Sequence, residues 1–76
     1  MVTDAKWRAP AKGLLKAELS RRNIGYKELV EKLGKLGVHE TEQNIANKLS
    51  RGGFSAVFLI QCLNAIECRN LQIGLD

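Results

Sequence analysis

Several residue types are scarce in this chain. Its 76 residues include one proline, one histidine, one methionine and only four aromatic side chains, Trp7, Tyr26, Phe54 and Phe58. With 45% apolar and 26% charged residues, a chain so poor in proline is neither disordered nor fibrous. Two cysteines, Cys62 and Cys68, are too few for a disulfide scaffold. On one helix, positions six apart point about 240° away from each other, too divergent to bridge. Cys62 therefore reads as a small buried apolar residue in a reducing compartment.

Other absences narrow the function. His39 has only Glu40 beside it as a possible ligand, so no metal site is expected. No Ser/His/Asp set, paired acid site or glycine-rich phosphate loop after a strand is present, so neither catalysis nor a cofactor is expected. The longest uncharged stretch, between Arg51 and Glu67, is interrupted by Ser55, Gln61 and Asn64. It is too short and too polar to span a bilayer. No basic opening leads into a long apolar block, so a secretory leader is not expected, and the expected location is the cytoplasm.

What remains is one small domain with a distinctive charge layout. A chain of this size buries only about 60% of its unfolded surface, so its core has little margin. Up to Lys27, seven basic residues meet two acids; beyond it, five meet six. The excess of +5 in the first part and −1 in the second makes the total of +4. A basic opening third on a small domain points to a polyanion partner, most often nucleic acid.

Periodicity divides the chain into a basic arm (1–9), a helical domain (10–67) and a tail (68–76). Pro10 suits the first position of a helix, where its missing N–H costs nothing, and Ala11, Leu14, Leu15, Leu19 and Arg22 continue at three-to-four spacing. Asn23-Ile24-Gly25 ends that helix. Tyr26 opens a second, with Leu29, Val30, Leu33 and Leu36 on one side and Lys27, Glu28, Glu31, Lys32 and Lys35 on the other. The tandem Lys32-Leu33-Gly34 and Lys35-Leu36-Gly37 offers two glycines, either of which can terminate it. Thr41 is the expected N-cap of a third helix running to about Ser50. Ser55 caps a fourth, strongly apolar helix, in which Leu59, Cys62, Leu63 and Ile66 suffice for the core. The tail alternates Leu71, Ile73 and Leu75 with Asn70, Gln72 and Gly74, the pattern of a short strand that needs a mate.

The third helix carries the chemistry. With Ile45 set toward the core, Leu49 and Glu42 fall within about 60° of it. The opposite arc, about 140° to 260°, holds Gln43, Asn44, Asn47, Ser50 and Arg51, with Lys48 on its boundary. Every residue on that arc can hydrogen-bond, none is acidic, and three are carboxamides. An ordinary solvated surface favours Glu and Lys, which are better helix formers. Asn and Gln can bond adenine N6 and N7 as a pair, and Arg can bond guanine O6 and N7, within a major groove that admits a helix.

The residues also resemble the λ-repressor/Cro-like (XRE-type) helix-turn-helix family. Ile24 through Gly34 is similar to that family's loop hydrophobe, N-cap and E-L-A-x-x-L-G helix; Ile45 through Gly52 resembles its I-S-x-x-E-x-G helix end. Ser55 through Ile66 resembles its fourth helix. The run Tyr26-Lys27-Glu28-Leu29 … Asn47-Lys48-Leu49-Ser50-Arg51-Gly52-Gly53-Phe54-Ser55 is similar to a small bacterial family of uncharacterised domains. The first resemblance implies a four-helix all-α domain whose second and third helices form the helix-turn-helix; the alternation of the tail adds a short C-terminal strand or extended tail to the expected fold. It further implies phosphate contacts from Tyr26 and Lys27, base contacts from Gln43, Asn44 and Asn47, and backbone contacts from Arg51 and the N–H groups of Gly53 to Ser55. This chain departs from the pattern twice. About five extra residues separate the second and third helices, and Gly25 stands where the family usually has a Ser or Thr cap. Plainer roles compete: Tyr26 as packing, Lys27 as a solvated charge, Gly52-Gly53 as a break, Ser55 as a cap, and Trp7 folded onto the core.

The expected partners are double-stranded DNA and a second copy of the chain. The DNA-binding set is Tyr26, Lys27, Gln43, Asn44, Asn47, Lys48, Ser50, Arg51 and Ser55. The dimer set is Val57, Phe58, Leu71, Ile73 and Leu75, with the tail strands paired across a two-fold axis. Val57, Phe58 and Ile60 can alternatively cover the lengthened second helix. The competing function is a protein-interaction module, antitoxin-like or a phage-derived adaptor, with incidental nucleic-acid affinity; structured RNA is a third possible partner.

Overall fold

Leucines and isoleucines at helical spacing must be buried together, and here they close four helices around one core. A computed structural model describes residues 4–73. Among them the chain is all-α, with α1 (Asp4–Arg21), α2 (Tyr26–Lys35), α3 (Glu42–Arg51) and α4 (Ala56–Ala65). Leu15 and Leu19 of α1, Leu29 and Leu33 of α2, Ile45 and Leu49 of α3, Phe58 and Cys62 of α4, and Ile66 just after it make the core. Both α1 and α2 pack against α3 and α4.

The helix ends explain how so short a chain turns so sharply. A residue with positive φ follows each helix: Gly52 (72°) after α3, and Asn23 (58°), Gly37 (83°) and Glu67 (59°) after α1, α2 and α4. At the last three, the next residue's N–H reaches back five positions: Ile24 to Leu19 (2.9 Å), Val38 to Leu33 (3.0 Å) and Cys68 to Leu63 (2.8 Å). Ile24, Val38 and Cys68 then pack their side chains against the core, completing the αL stop in which backbone reversal and apolar contact support each other. Between the two candidate glycines, Gly37 is therefore the terminator, while Gly34 stays inside α2. Residues 36–41 form the loop between α2 and α3. The Glu67 conformation costs about 1 kcal/mol for an L residue with a side chain.

At the N-termini, the Thr41 hydroxyl accepts the Asn44 N–H at 3.0 Å and the Ser55 hydroxyl accepts the Phe58 N–H at 3.1 Å. Gly25 gives α2 no side-chain cap. Both hydroxyl caps stand where the sequence predicts them.

The core includes one buried charge. Glu18, only 5% exposed, accepts bonds from Arg22 (2.6 Å) and Arg21 (2.9 Å), and the Cys68 thiol lies 3.7 Å from its Oε1. The Arg22 hydrogen bond, aided by both guanidinium charges, holds the Glu18 carboxyl below its usual range against the opposing effect of burial. Cys62 lies in the core as an unpaired thiol, pushed up to about 12 by burial.

Three expectations are corrected. The first helix begins at Asp4, with Pro10 in its interior, so residues 4–9 are not a separate arm. Pro10 removes one intrahelical bond, but the turns before it are held by contact with the α3–α4 junction. No strand forms at Leu71–Ile73, and Gly74 and Leu75 lie outside the described residues. A strand there would need a partner, and none is available among the described residues. Leu36, expected on the core side, is 47% exposed because α2 ends at Lys35 and the chain reverses through Gly37.

Two outcomes follow. Leu33→Ala should lower the free energy of unfolding by about 2–5 kcal/mol in urea, whereas Leu36→Ala should change it by less than about 1 kcal/mol, because only Leu33 is fully buried. Because the folded Glu18 pKa is depressed, its contribution is complete above the ordinary carboxylate pKa of about 4.3 and disappears as pH falls through the lower folded value. Glu18→Gln should therefore be less stable than wild type at neutral pH, with the gap closing under acid; thermal melts from pH 7 to 2 measure it.

Candidate nucleic-acid interface

The α3 cap and its two buried residues fix which side of the helix faces outward. With Ile45 and Leu49 inserted in the core, Gln43, Asn44, Asn47, Ser50 and Arg51 are all exposed, as the wheel predicts. Gln43 Nε2 donates to Asn47 Oδ1 at 3.2 Å across one turn, so two of the three carboxamides are aligned by each other. The helix of 10 residues spans about 15 Å, long enough to lie along a few base pairs of a groove about 12 Å wide.

This row borders an open depression of about 620 Å³. Asn44, Asn47, Lys48 and Arg51 line it from α3, and Phe54 and Ser55 from the entry to α4. Arg8 lines it from α1, and among residues 5–73 no acidic side chain does. The first turn of α4 also contains no acid, so its unpaired backbone N–H groups lie in positive surroundings.

Lys48 is more committed than the sequence suggests. The Lys48 ammonium bonds Glu40 at 2.7 Å and sits 4.5 Å from the centre of the Phe58 ring. It thereby ties α3 to the preceding loop and to α4, and Glu40 offsets its charge. The Ser50 carbonyl accepts a bond from Lys12 of α1 at 3.3 Å. Arg51 makes no ion pair among the described residues.

The remaining predicted positions separate. Tyr26 packs partly buried against the core, and Lys27 is exposed at the start of α2; neither lines the depression. The Ser55 hydroxyl serves as the α4 cap. Phe58, assigned to a dimer surface, is 3% exposed and sits edge-on to Phe54 at 5.5 Å inside this chain. A helix as apolar all round as α4 gives no period to tell its inner from its outer side. Val57 and Ile60 take the outward positions, 64% and 65% exposed, and Ile73 is exposed as well. Leu71 is half-buried beside Leu36, Val38, Ile60 and Leu63 in a second depression of about 580 Å³. His39 is exposed on the α2–α3 loop, and no three of His, Cys, Asp and Glu converge among the described residues. No helix in that range is long and apolar enough to cross a membrane.

Two contributors were not foreseen, Arg8 and Glu40. Both act over long sequence separations or through a loop, which helical periodicity does not report. A tight fit against Gly52 brings Arg8 to the site. Gly52 has φ +72°, and a Cβ there would lie 2.6 Å from the Arg8 carbonyl oxygen. The α1 backbone thus rests directly on the α3–α4 junction.

In comparisons with known proteins, residues 7–71 match a family described as a domain of unknown function (DUF6471). No curated protein and no solved structure matches the chain.

Because Gly52 needs both a positive φ and space for the α1 backbone, Gly52→Ala should destabilise the domain by about 1–3 kcal/mol or more. Gly34→Ala, where a Cβ meets nothing within 4 Å and the backbone is helical, should hold or raise stability. Thermal melts of the two variants measure the contrast.

Proposed function

We propose that this chain, which belongs to the DUF6471 family, is a sequence-specific double-stranded DNA-binding protein that regulates transcription by occupying operator DNA. In this reading α2 and α3 form a helix-turn-helix of the λ-repressor-like kind, and α3 enters the major groove. One observation carries it: Gln43, Asn44, Asn47 and Arg51 stand exposed in one row without an acid among them, beside a depression lined by arginine, lysine and carboxamide groups. Carboxamides in that row pair with adenine edges, while Arg51 and the N–H groups at the start of α4 hold phosphates. Lys27 and the uncapped start of α2 supply a further phosphate contact. Occupancy blocks or recruits other proteins; no catalytic step and no cofactor are involved.

The reading includes a homodimer, so that two α3 helices meet a site with two-fold symmetry. Its support is the outward apolar pair Val57 and Ile60, on a helix with no charge to repel a second copy. A second reading, a protein-interaction module with incidental DNA affinity, is favoured by the apolar depression that includes Leu36, Val38, Ile60 and Leu71. Gel shift with genomic fragments at near-physiological salt separates the two. A preferred fragment supports DNA readout; binding only at low salt, with none preferred, supports the second reading.

Selection from a random duplex pool should yield a defined, palindromic sequence. Against that sequence, Asn47→Ala should lose about 1–3 kcal/mol of preference over a mismatched duplex. Arg51→Ala should weaken all duplexes alike and make binding less dependent on salt. If neither variant alters binding, α3 is not the reading helix.

A further inference from the structure

The α3 row stops at Arg51, yet the depression beside it has a second guanidinium that comes from the other end of the chain. Arg8 is exposed in the second turn of α1, two residues before Pro10, and its side chain lies over Gly53. A Cβ built on Gly53 would meet Arg8 Nε at 3.2 Å, Cζ at 3.4 Å and Nη2 at 3.5 Å. Those are the three nearest atoms, and all belong to the Arg8 head group. Gly53, unlike Gly52, does not have a positive φ, so its backbone does not require glycine. The missing side chain instead leaves room for the guanidinium.

We propose that Arg8 is a phosphate-contacting residue of the α3 face, and that Gly53 is a positioning residue that leaves the guanidinium its place. The proposal rests on the DNA-binding reading above and extends it to α1. The chemistry is direct. A guanidinium presents a planar fork of N–H donors that fits two phosphate oxygens at once, and it stays charged at all physiological pH. Among residues 5–73, Arg8 forms no ion pair and no acid lines the depression it faces. Arg8 and Arg51 thus accompany Asn44 and Asn47 in one depression, with base-reading amides and backbone-holding guanidiniums side by side. The close contact of the Arg8 carbonyl with Gly52 fixes where the side chain leaves the helix.

The test uses the full chain and two probes: a labelled duplex of the sequence selected by the wild type, and a mixed-sequence duplex. Affinities of wild type, Arg8→Gln, Gly53→Ala and the double variant are measured by fluorescence anisotropy over a range of salt. Arg8→Gln should bind both probes about tenfold more weakly, as expected for losing one charged hydrogen-bonding contact. Its slope of log affinity against log salt should be shallower by about 0.9. Gly53→Ala should weaken wild-type binding by about threefold and leave the Arg8→Gln variant unchanged, because its effect passes through Arg8. A wild type that binds duplex DNA while Arg8→Gln keeps its affinity and salt slope would overturn the assignment of Arg8 and leave the α3 reading intact. Equal losses from Gly53→Ala in both backgrounds would overturn the positioning role. A wild type that binds neither probe would overturn both this proposal and the reading beneath it. A merely structural Arg8, acting as a cation near the end of α3, would lower the thermal midpoint without moving the salt slope.

Discussion

The close contact between α1 and the α3–α4 junction organises this small domain. At Gly52 the chain turns through a left-handed conformation, and the Arg8 carbonyl occupies the place of a side chain. The left-handed Gly52 stops α3 after Arg51, and the approach of the Arg8 carbonyl to it anchors the turns of α1 that precede Pro10. The buried residues of all four helices then meet in one layer, and the outward row on α3 is held by Ile45 and Leu49 behind it. Carboxamide-rich helices form poorly alone. Here tertiary packing and the Thr41 cap supply what intrinsic propensity does not.

Much of this arrangement was legible before any coordinates. Thr41 and Ser55 as caps, Ile45 and Leu49 as inward residues, and the exposed Gln43, Asn44, Asn47, Ser50 and Arg51 follow from local rules of spacing and capping. Those rules fail where the deciding contact is distant in sequence. The first turns of α1 have no apolar period, and Pro10 looks like a starting signal; their support comes from Gly52, more than forty positions away. The alternation of Leu71 and Ile73 suggests a strand, but alternation sets which side a residue takes and cannot supply a neighbouring strand. Phe58 and Val57 are adjacent on an almost wholly apolar helix, so only the packing distinguishes the buried one from the exposed one.

The candidate site was readable in the same uneven way. Its row on α3 lies within one helix, where periodicity reports it well. Its flanks do not: Arg8 comes from α1, and Lys48 is drawn aside by Glu40 and the Phe58 ring. A lysine on the boundary of a helical wheel can serve a partner or its own fold, and the choice depends on a carboxylate eight positions earlier. Charge therefore divides into two kinds. Lys48, Arg21 and Arg22 are engaged within the molecule, while Arg8 and Arg51 carry no ion pair among residues 5–73.

Gly25 leaves α2 without a side-chain cap, although its backbone, at φ −86° and ψ 176°, suits any residue and nothing lies within 4 Å of where a Cβ would stand. Steric need does not account for the glycine. A serine or aspartate would supply roughly a few tenths of a kcal/mol of unused thermodynamic headroom. It would also occupy the polarised opening of the helix beside Tyr26 and Lys27, trading vacancy for rigidity at a place where an incoming anion would otherwise find bare amides.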